Sequence, residues 1–376
     1  MKVFMFPGQG SQSRGMGGVL FDQFPDLTAQ ADGILGYSVK ELCLEDPRNE
    51  LGQTQFTQPA LFVVNALSFF KKVADSGRQP DALAGHSLGE FNALLAAGCF
   101  DFETGLKLVR RRGELMSRVP RGAMAAILNA TKEEIEEILQ RNNLSNIDLA
   151  NYNTPSQIVI SGLEEEIAAA QALFQSGKML YHPLVTSGAF HSRFMAVAKG
   201  EFAEYLRGFE FAAPQIPVIA NVTARPYEAG SIAEGLSKQI ASTVLWSESI
   251  QYLMALAAQR GEAASFEEIG HGDVLTRIHQ TIKRQTPESA LEKFSRELRP
   301  SSSAAATARS PDPVEKVTAW NRRYSVGTRV QSALMNGAPL ETRTAAMVLF
   351  GHRAAVYLEG YNGYFDLDEL VAVGGG

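Results

Sequence analysis

The N-terminal run Met1-Lys2-Val3-Phe4-Met5-Phe6 is apolar and is broken by Pro7, which predicts a strand; Gly8-Gln9-Gly10-Ser11-Gln12 follows as a glycine-rich turn. Asp22 to Leu44 predicts helical pieces interrupted by Pro25 and Gly33. Pro59 stands at a helix-start position and opens a strongly apolar helix to Val73, with Gln58 before it as a cap. A short apolar run ending at Gly85 predicts a second strand, beyond which Phe91, Leu94 and Leu95 recur at helical spacing. Phe102 to Val119 predicts another helix, with Leu106, Val109, Gly113 and Met116 as its buried stripe.

From Ala123 the texture changes. Met124–Leu128, Asn146–Asn151, Gln157–Ser161 and Met179–Val185 read as strands, and Lys132–Arg141 and Leu163–Phe174 as helices. That βαββαβ order predicts an inserted ferredoxin-like unit. The chain then passes through Thr186-Ser187-Gly188-Ala189-Phe190-His191-Ser192 into a helix beginning near Arg193, and Pro217–Asn221 and Phe266–Gly270 predict two further buried strands. Pro300–Pro313, rich in serine, alanine and proline, reads as a linker. Beyond it Thr328–Leu334, Thr342–Phe350 and Ala354–Gly360 read as strands, with Asn362-Gly363 as a hairpin turn. The expected fold class is α/β: an α/β-hydrolase-like large subdomain (1–122 and 189–285), a ferredoxin-like small subdomain (123–188), a linker (286–313) and a small β-rich module (314–373). Gly374-Gly375-Gly376 reads as the start of another linker, as in a piece of a longer polypeptide.

Composition narrows the class. The 376 residues are 45% hydrophobic and 20% charged, and no run approaches the roughly 18 apolar residues a membrane span needs. The opening residues are too short and too soon broken by proline to act as a secretory signal, and Cys43 and Cys99 stand far apart, outside metal-ligand spacing. A cytoplasmic protein without disulfides or metal is expected. The net charge of -6 argues against general nucleic-acid binding.

The second strand-to-helix passage carries Gly85-His86-Ser87-Leu88-Gly89, a G-x-S-x-G pattern in the context that pattern requires. A sharp turn lifts the serine oxygen clear of the backbone only where the flanking residues lack side chains. The helix after it offers free N–H groups and partial positive charge to a developing oxyanion. Such a serine needs a base, usually a histidine from elsewhere in the chain. His86 lies inside the turn and points away, His182 falls in a predicted strand, and His352 lies in the tail. His191, at the loop-to-helix junction, is favoured, while His271 and His279 stay open as alternatives. Arg110, Arg111 and Arg112 cannot all point one way on a helix, and Arg112 is the one beside the buried stripe. Gly8–Gln12 lacks the lysine of a P-loop, so its use is to bring backbone N–H groups or the Gln9 amide to the sheet edge.

Taken together, Gly8-Gln9-Gly10-Ser11-Gln12, Gln58-Pro59-Ala60, Gly85-His86-Ser87-Leu88-Gly89-Glu90, Arg112-Gly113 and Gly188-Ala189-Phe190-His191-Ser192 resemble, in this order, the malonyl-CoA:acyl-carrier-protein transacylases. The resemblance covers about residues 1–285 and is strongest to the discrete, trans-acting acyltransferases of bacterial polyketide synthases; the tail from Trp320 to Tyr364 is similar to segments that follow some of them. It implies that Ser87 is acylated, that His191 is its base, oriented by the backbone carbonyl of Leu245, and that the N–H groups of Leu88 and Gln9 form the oxyanion hole. It also implies that Arg112 binds the malonyl carboxylate, with Gln58 and Phe190 in the substrate site. Malonyl-CoA is then the substrate, acyl carrier protein domains of a polyketide synthase the partners, and no metal or organic cofactor is needed. Phe190 stands where relatives that accept methylmalonyl carry a smaller residue, which implies a modest preference for malonyl, since one methyl is worth about 1–3 kcal/mol. Arg110, Arg111 or Lys283 offer a docking patch for an acidic carrier protein. The rival readings are an acyl hydrolase that edits carrier-bound groups, against which Arg112 discriminates, and, for the tail, a non-catalytic docking module.

Overall fold

In the computed structural model, which describes residues 1–119, 122–186, 188–298, 313–332, 339–349, 353–361 and 364–373, strand β1 (Lys2–Phe6) is central to a four-stranded parallel sheet. Its neighbours are β2 (Ala82–Gly85) and β8 (Ser265–Glu268), and β2 pairs in turn with β7 (Val218–Ile219). Alternation along β1 divides the core between the two faces of this sheet. Phe4 and Phe6 join the cluster of Phe62, Leu67 and Phe91, whereas Val3 and Met5 pack with Ala84, Ile219, Trp246 and Leu253.

The apolar helix over this sheet runs Thr54–Ser76 and contains Pro59 in its interior, not at its start. Gln53, in extended conformation, sets the true beginning: its carbonyl accepts the N–H groups of Phe56 and Thr57 and the Thr57 hydroxyl. The helix Phe102–Ser117 packs against it, started by Asp101, whose carboxylate accepts the Thr104 N–H.

The small subdomain contains β3 (Ala123–Leu128), β4 (Asp148–Thr154), β5 (Gln157–Gly162) and β6 (Leu180–Pro183), antiparallel in the order β4-β5-β3-β6. Together with the helices Lys132–Arg141 and Glu164–Ala170 this is the expected βαββαβ arrangement. Backbone bonds stitch it to the large body: the Val244 N–H donates to Ala150 O, and the Tyr152 N–H to Val244 O, each at 2.9 Å.

The predicted linker at 286–313 is corrected at its first half. Glu288–Leu298 is a helix whose Phe294 is buried edge-on against Tyr252, at 6.3 Å, on the helix Trp246–Gln259. Arg225 and Glu297 form an ion pair beside that contact. The amphipathic repeat Leu291, Phe294, Leu298 just upstream of the proline- and serine-rich stretch packs against the cluster of Tyr252 and Leu253. Residues 299–312, the Asn362-Gly363 turn, His352 and the three terminal glycines lie outside the described residues.

The C-terminal module adds the helix Pro313–Arg323, which composition did not signal, to strands β9 (Arg329–Ser332), β10 (Leu340–Glu341), β11 (Met347–Leu349), β12 (Arg353–Tyr357), β13 (Tyr364–Asp366) and β14 (Leu370–Ala372). They form two three-stranded antiparallel sheets, β10-β9-β14 and β11-β12-β13. Leu349 and Ala355 of the second share an apolar cluster with Ile135 and Leu139 of the small subdomain, and the Tyr364 hydroxyl donates to the buried Glu136 carboxylate at 2.9 Å.

Candidate active site

Ser87 occupies the tip of the turn between β2 and the helix Gly89–Ala96 with φ of 50°, a left-handed backbone that costs a non-glycine residue about 1–3 kcal/mol. Three glycines let the chain pack backbone to backbone around it. A Cβ on Gly85 would lie 2.0 Å from the Gly89 backbone, one on Gly89 2.0 Å from Phe6 O, and one on Gly8 2.3 Å from His86 O. Asn221, just beyond β7, braces the turn: its Oδ1 accepts the Ser87 N–H at 2.7 Å, and its Nδ2 donates to Gly85 O at 2.7 Å.

The structure brings His191 to this serine, with Nε2 2.7 Å from Ser87 Oγ. His191 also has a left-handed backbone, φ of 56°, and the residues after it are clamped. The Arg193 N–H donates to Asp148 Oδ2 at 2.7 Å, and Arg193 Nε bonds both oxygens of that buried β4 carboxylate. The other imidazoles are elsewhere: His271 Nε2 is 2.7 Å from Ser13 Oγ, His279 stacks on Phe266, and His86 bonds Asn153. His182 is exposed on β6.

The expected orienting carbonyl is corrected. His191 Nδ1 donates to the backbone oxygen of Gln239, at 2.8 Å, not to that of Leu245. Leu245 caps the helix Trp246–Gln259, so its carbonyl is taken by the Ser249 N–H and hydroxyl. With Nδ1 fixed as a donor, Nε2 is left as the acceptor facing the serine. Burial, reinforced by the charge of Arg112, lowers the His191 pKa to about 3, so the ring is a free base at neutral pH.

Arg112, 1% exposed, reaches the same point from the helix Phe102–Ser117. Its NH2 donates to Ser87 Oγ at 3.1 Å and to Gln239 Oε1 at 2.8 Å, and its NH1 donates to Gln58 Oε1 at 2.8 Å. Its Nε, also buried, has no hydrogen-bond partner among the described residues. Burial lowers its pKa to about 10, which leaves it charged at neutral pH. Arg110 and Arg111 face outward, paired with Glu114 and, for Arg111, also Glu201.

The remaining predicted residues surround this centre. Gln58 Nε2 donates to Met116 Sδ, and Phe190 is buried next to His191, its ring against Gly188. The Leu88 nitrogen sits beside Gly8, where a Cβ would stand 3.5 Å from it, and the Gln9 side chain bonds Thr54. Among the described residues neither the Leu88 nor the Gln9 N–H donates to a protein acceptor. Sequence reasoning missed Asn221, Tyr227 and Gln239 and gave Glu90 no role. Asn221 and Glu90 had a signal, a polar residue closing an apolar strand and an acid closing the serine motif; Gln239 had none. Among the described residues no group of three or more His, Cys, Asp or Glu could hold a metal.

The acyl transferase domain model matches residues 3–309. The chain belongs to that family. This acyltransferase is 53% identical over 291 residues to the polyketide biosynthesis malonyl CoA-acyl carrier protein transacylase BaeC of Bacillus velezensis, a match covering 77% of this chain and 99% of that protein. Among solved structures, the malonyl CoA-acyl carrier protein transacylase of Burkholderia pseudomallei is 66% identical with a TM-score of 0.76, covering 76% of this chain and 99% of that one. A type II PKS acyl-carrier protein in complex with its malonyl-transacylase supplies another neighbour, 32% identical with a TM-score of 0.70 over 79% of this chain and 99% of that one.

Proposed function

We propose that this acyltransferase moves the malonyl group from malonyl-CoA to the phosphopantetheine thiol of an acyl carrier protein through a malonyl ester on Ser87, supplying extender units in trans to a polyketide synthase in the cytoplasm. The observation that carries the reading is a buried guanidinium within 3.1 Å of the nucleophile. A cation there matches an acyl chain that ends in a carboxylate, whereas an editing hydrolase of neutral acyl groups has no use for it.

In the first half-reaction His191 Nε2 takes the Ser87 proton as Oγ attacks the thioester carbonyl. The oxyanion lies against the N–H groups of Leu88 and Gln9. The C–S bond breaks, and the proton passes from His191 to the CoA sulfur. In the second half the carrier thiol gives its proton to His191 and attacks the ester, and Ser87 leaves and recovers that proton. Arg112, held by Gln58 and Gln239, positions the carboxylate, and Phe190 limits space for a branch at the α-carbon.

Intact-mass measurement with malonyl-, methylmalonyl- and acetyl-CoA tests this. Malonyl should add fastest, methylmalonyl slower and acetyl slowest, with no adduct on Ser87→Ala. Arg112→Ala should lose about 2–5 kcal/mol of malonyl kcat/KM, roughly 30- to 5,000-fold. An adduct on the Ser87→Ala protein would refute the reading.

A further inference from the structure

We propose that Glu90 is a positioning residue for carboxylated acyl chains, acting through the side-chain amide of Gln239. The inference rests on the reading of Arg112 as the carboxylate holder. Gln239 touches His191, Ser87 and Arg112 at once. Its backbone oxygen takes His191 Nδ1, its Nε2 donates to Ser87 O at 2.8 Å, and its Oε1 accepts from Arg112 NH2. Only one orientation of the amide does this. Turned over, it would set an NH2 group against the guanidinium, donor to donor.

Glu90 fixes that orientation. It is fully buried, on the first turn of the helix that follows Ser87, and Gln239 Nε2 donates to its Oε2. Its Oε1 accepts two more donors, the Asn221 N–H at 2.9 Å and the Tyr227 hydroxyl at 2.8 Å. Three donors therefore converge on both oxygens, and the ionised carboxylate meets all three because it accepts on both sides. A glutamine at 90 has one oxygen. If it faces Asn221 and Tyr227, its NH2 meets the Gln239 NH2, and the relief is a turned Gln239 that pushes Arg112 out of register. Thus the glutamate in the serine motif selects the far end of the acyl chain, two residues removed from it.

The test compares malonyl- and acetyl-CoA as substrates of Ser87 acylation in wild type, Glu90→Gln, Gln239→Ala and Arg112→Ala. In Glu90→Gln the malonyl-to-acetyl ratio of kcat/KM should fall by about tenfold or more, mainly through a higher KM for malonyl-CoA. Gln239→Ala keeps the carbonyl that orients His191 and loses only the amide, so it should lower the same ratio; it also serves if Glu90→Gln does not fold. The proposal is overturned if, in the folded variants, both substrates slow by one common factor or neither changes. A ratio that stays unchanged in Arg112→Ala would instead remove the underlying reading of the cation.

Discussion

Two buried groups of the site titrate in opposite directions, and the signs separate them. His191 has a folded pKa of about 3 against an ordinary 6.5, because burial and the neighbouring Arg112 disfavour its cation. Between those values the unfolded chain binds the extra proton, so this group stabilises the fold fully above pH 6.5 and the contribution is lost as pH falls toward 3. Glu90 runs the other way: burial raises it from 4.5 to about 7 against its three donors and Arg112. There the folded state binds the proton, and stability falls as pH rises through that window. Replacing His191 by asparagine removes only the first effect. Urea unfolding at pH 7.5, 5.5 and 4 should therefore show the stability advantage of wild type over His191→Asn shrinking steadily with acid; a constant difference would mean that the imidazole is not depressed. At this scale Arg112 was legible because a 3.6-residue period puts it beside Leu106, Val109, Gly113 and Met116. The acceptor for His191 was not, because a backbone carbonyl carries no side-chain signature and this one arrives from 48 positions away.

The elements that hold the site differ in how tightly they meet. Gly89 is the point where the helix after Ser87 touches β1, and a Cβ there would stand 2.0 Å from Phe6 O. Neither partner can retreat, since β1 is paired on both edges. Gly89→Ala should thus lower stability by about 1–3 kcal/mol or more, roughly 1–4 °C in Tm, with loss of Ser87 acylation. Gly33 gives the contrast. It lies inside the helix Pro25–Leu35 with nothing within 4 Å of an added Cβ and without a left-handed backbone. Gly33→Ala should raise stability by about 0.5–1 kcal/mol, so differential scanning should find the two substitutions moving Tm in opposite directions. The strand–turn–helix around Ser87 was readable because its requirements are local: an apolar run, two glycines, a helical stripe. Pro59 and the helix Glu288–Leu298 were misread for the converse reason. The first is settled by Gln53 upstream, the second by Tyr252 on another helix, and neither influence shows in the local pattern.

On the scale of the whole molecule, the candidate site and the C-terminal module draw on different residues. Among the described residues Ser87, His191, Arg112, Gln239 and Glu90 bond only to one another and to residues before 298, whereas the module rests on the opposite side of the small-subdomain sheet through Leu349, Ala355 and Tyr364. The matched relatives of Bacillus velezensis and Burkholderia pseudomallei are covered almost entirely by about three quarters of this chain, and the family model stops at residue 309. A body of that extent therefore folds without such a module. Removing residues 313–376 should leave malonyl loading of Ser87 within about twofold of the full chain, because no catalytic hydrogen bond is broken. It should lower Tm, because Ile135 and Leu139 lose apolar neighbours and Glu136 loses the tyrosine hydroxyl. Tyr364→Phe isolates the last term, at about 1 kcal/mol or ~1–2 °C, again with loading unchanged. If truncation slowed loading itself by tenfold, the small subdomain would have to transmit strain from its helix Lys132–Arg141 through β4 and the Asp148–Arg193 clamp to His191, and the module would count as part of the catalytic apparatus.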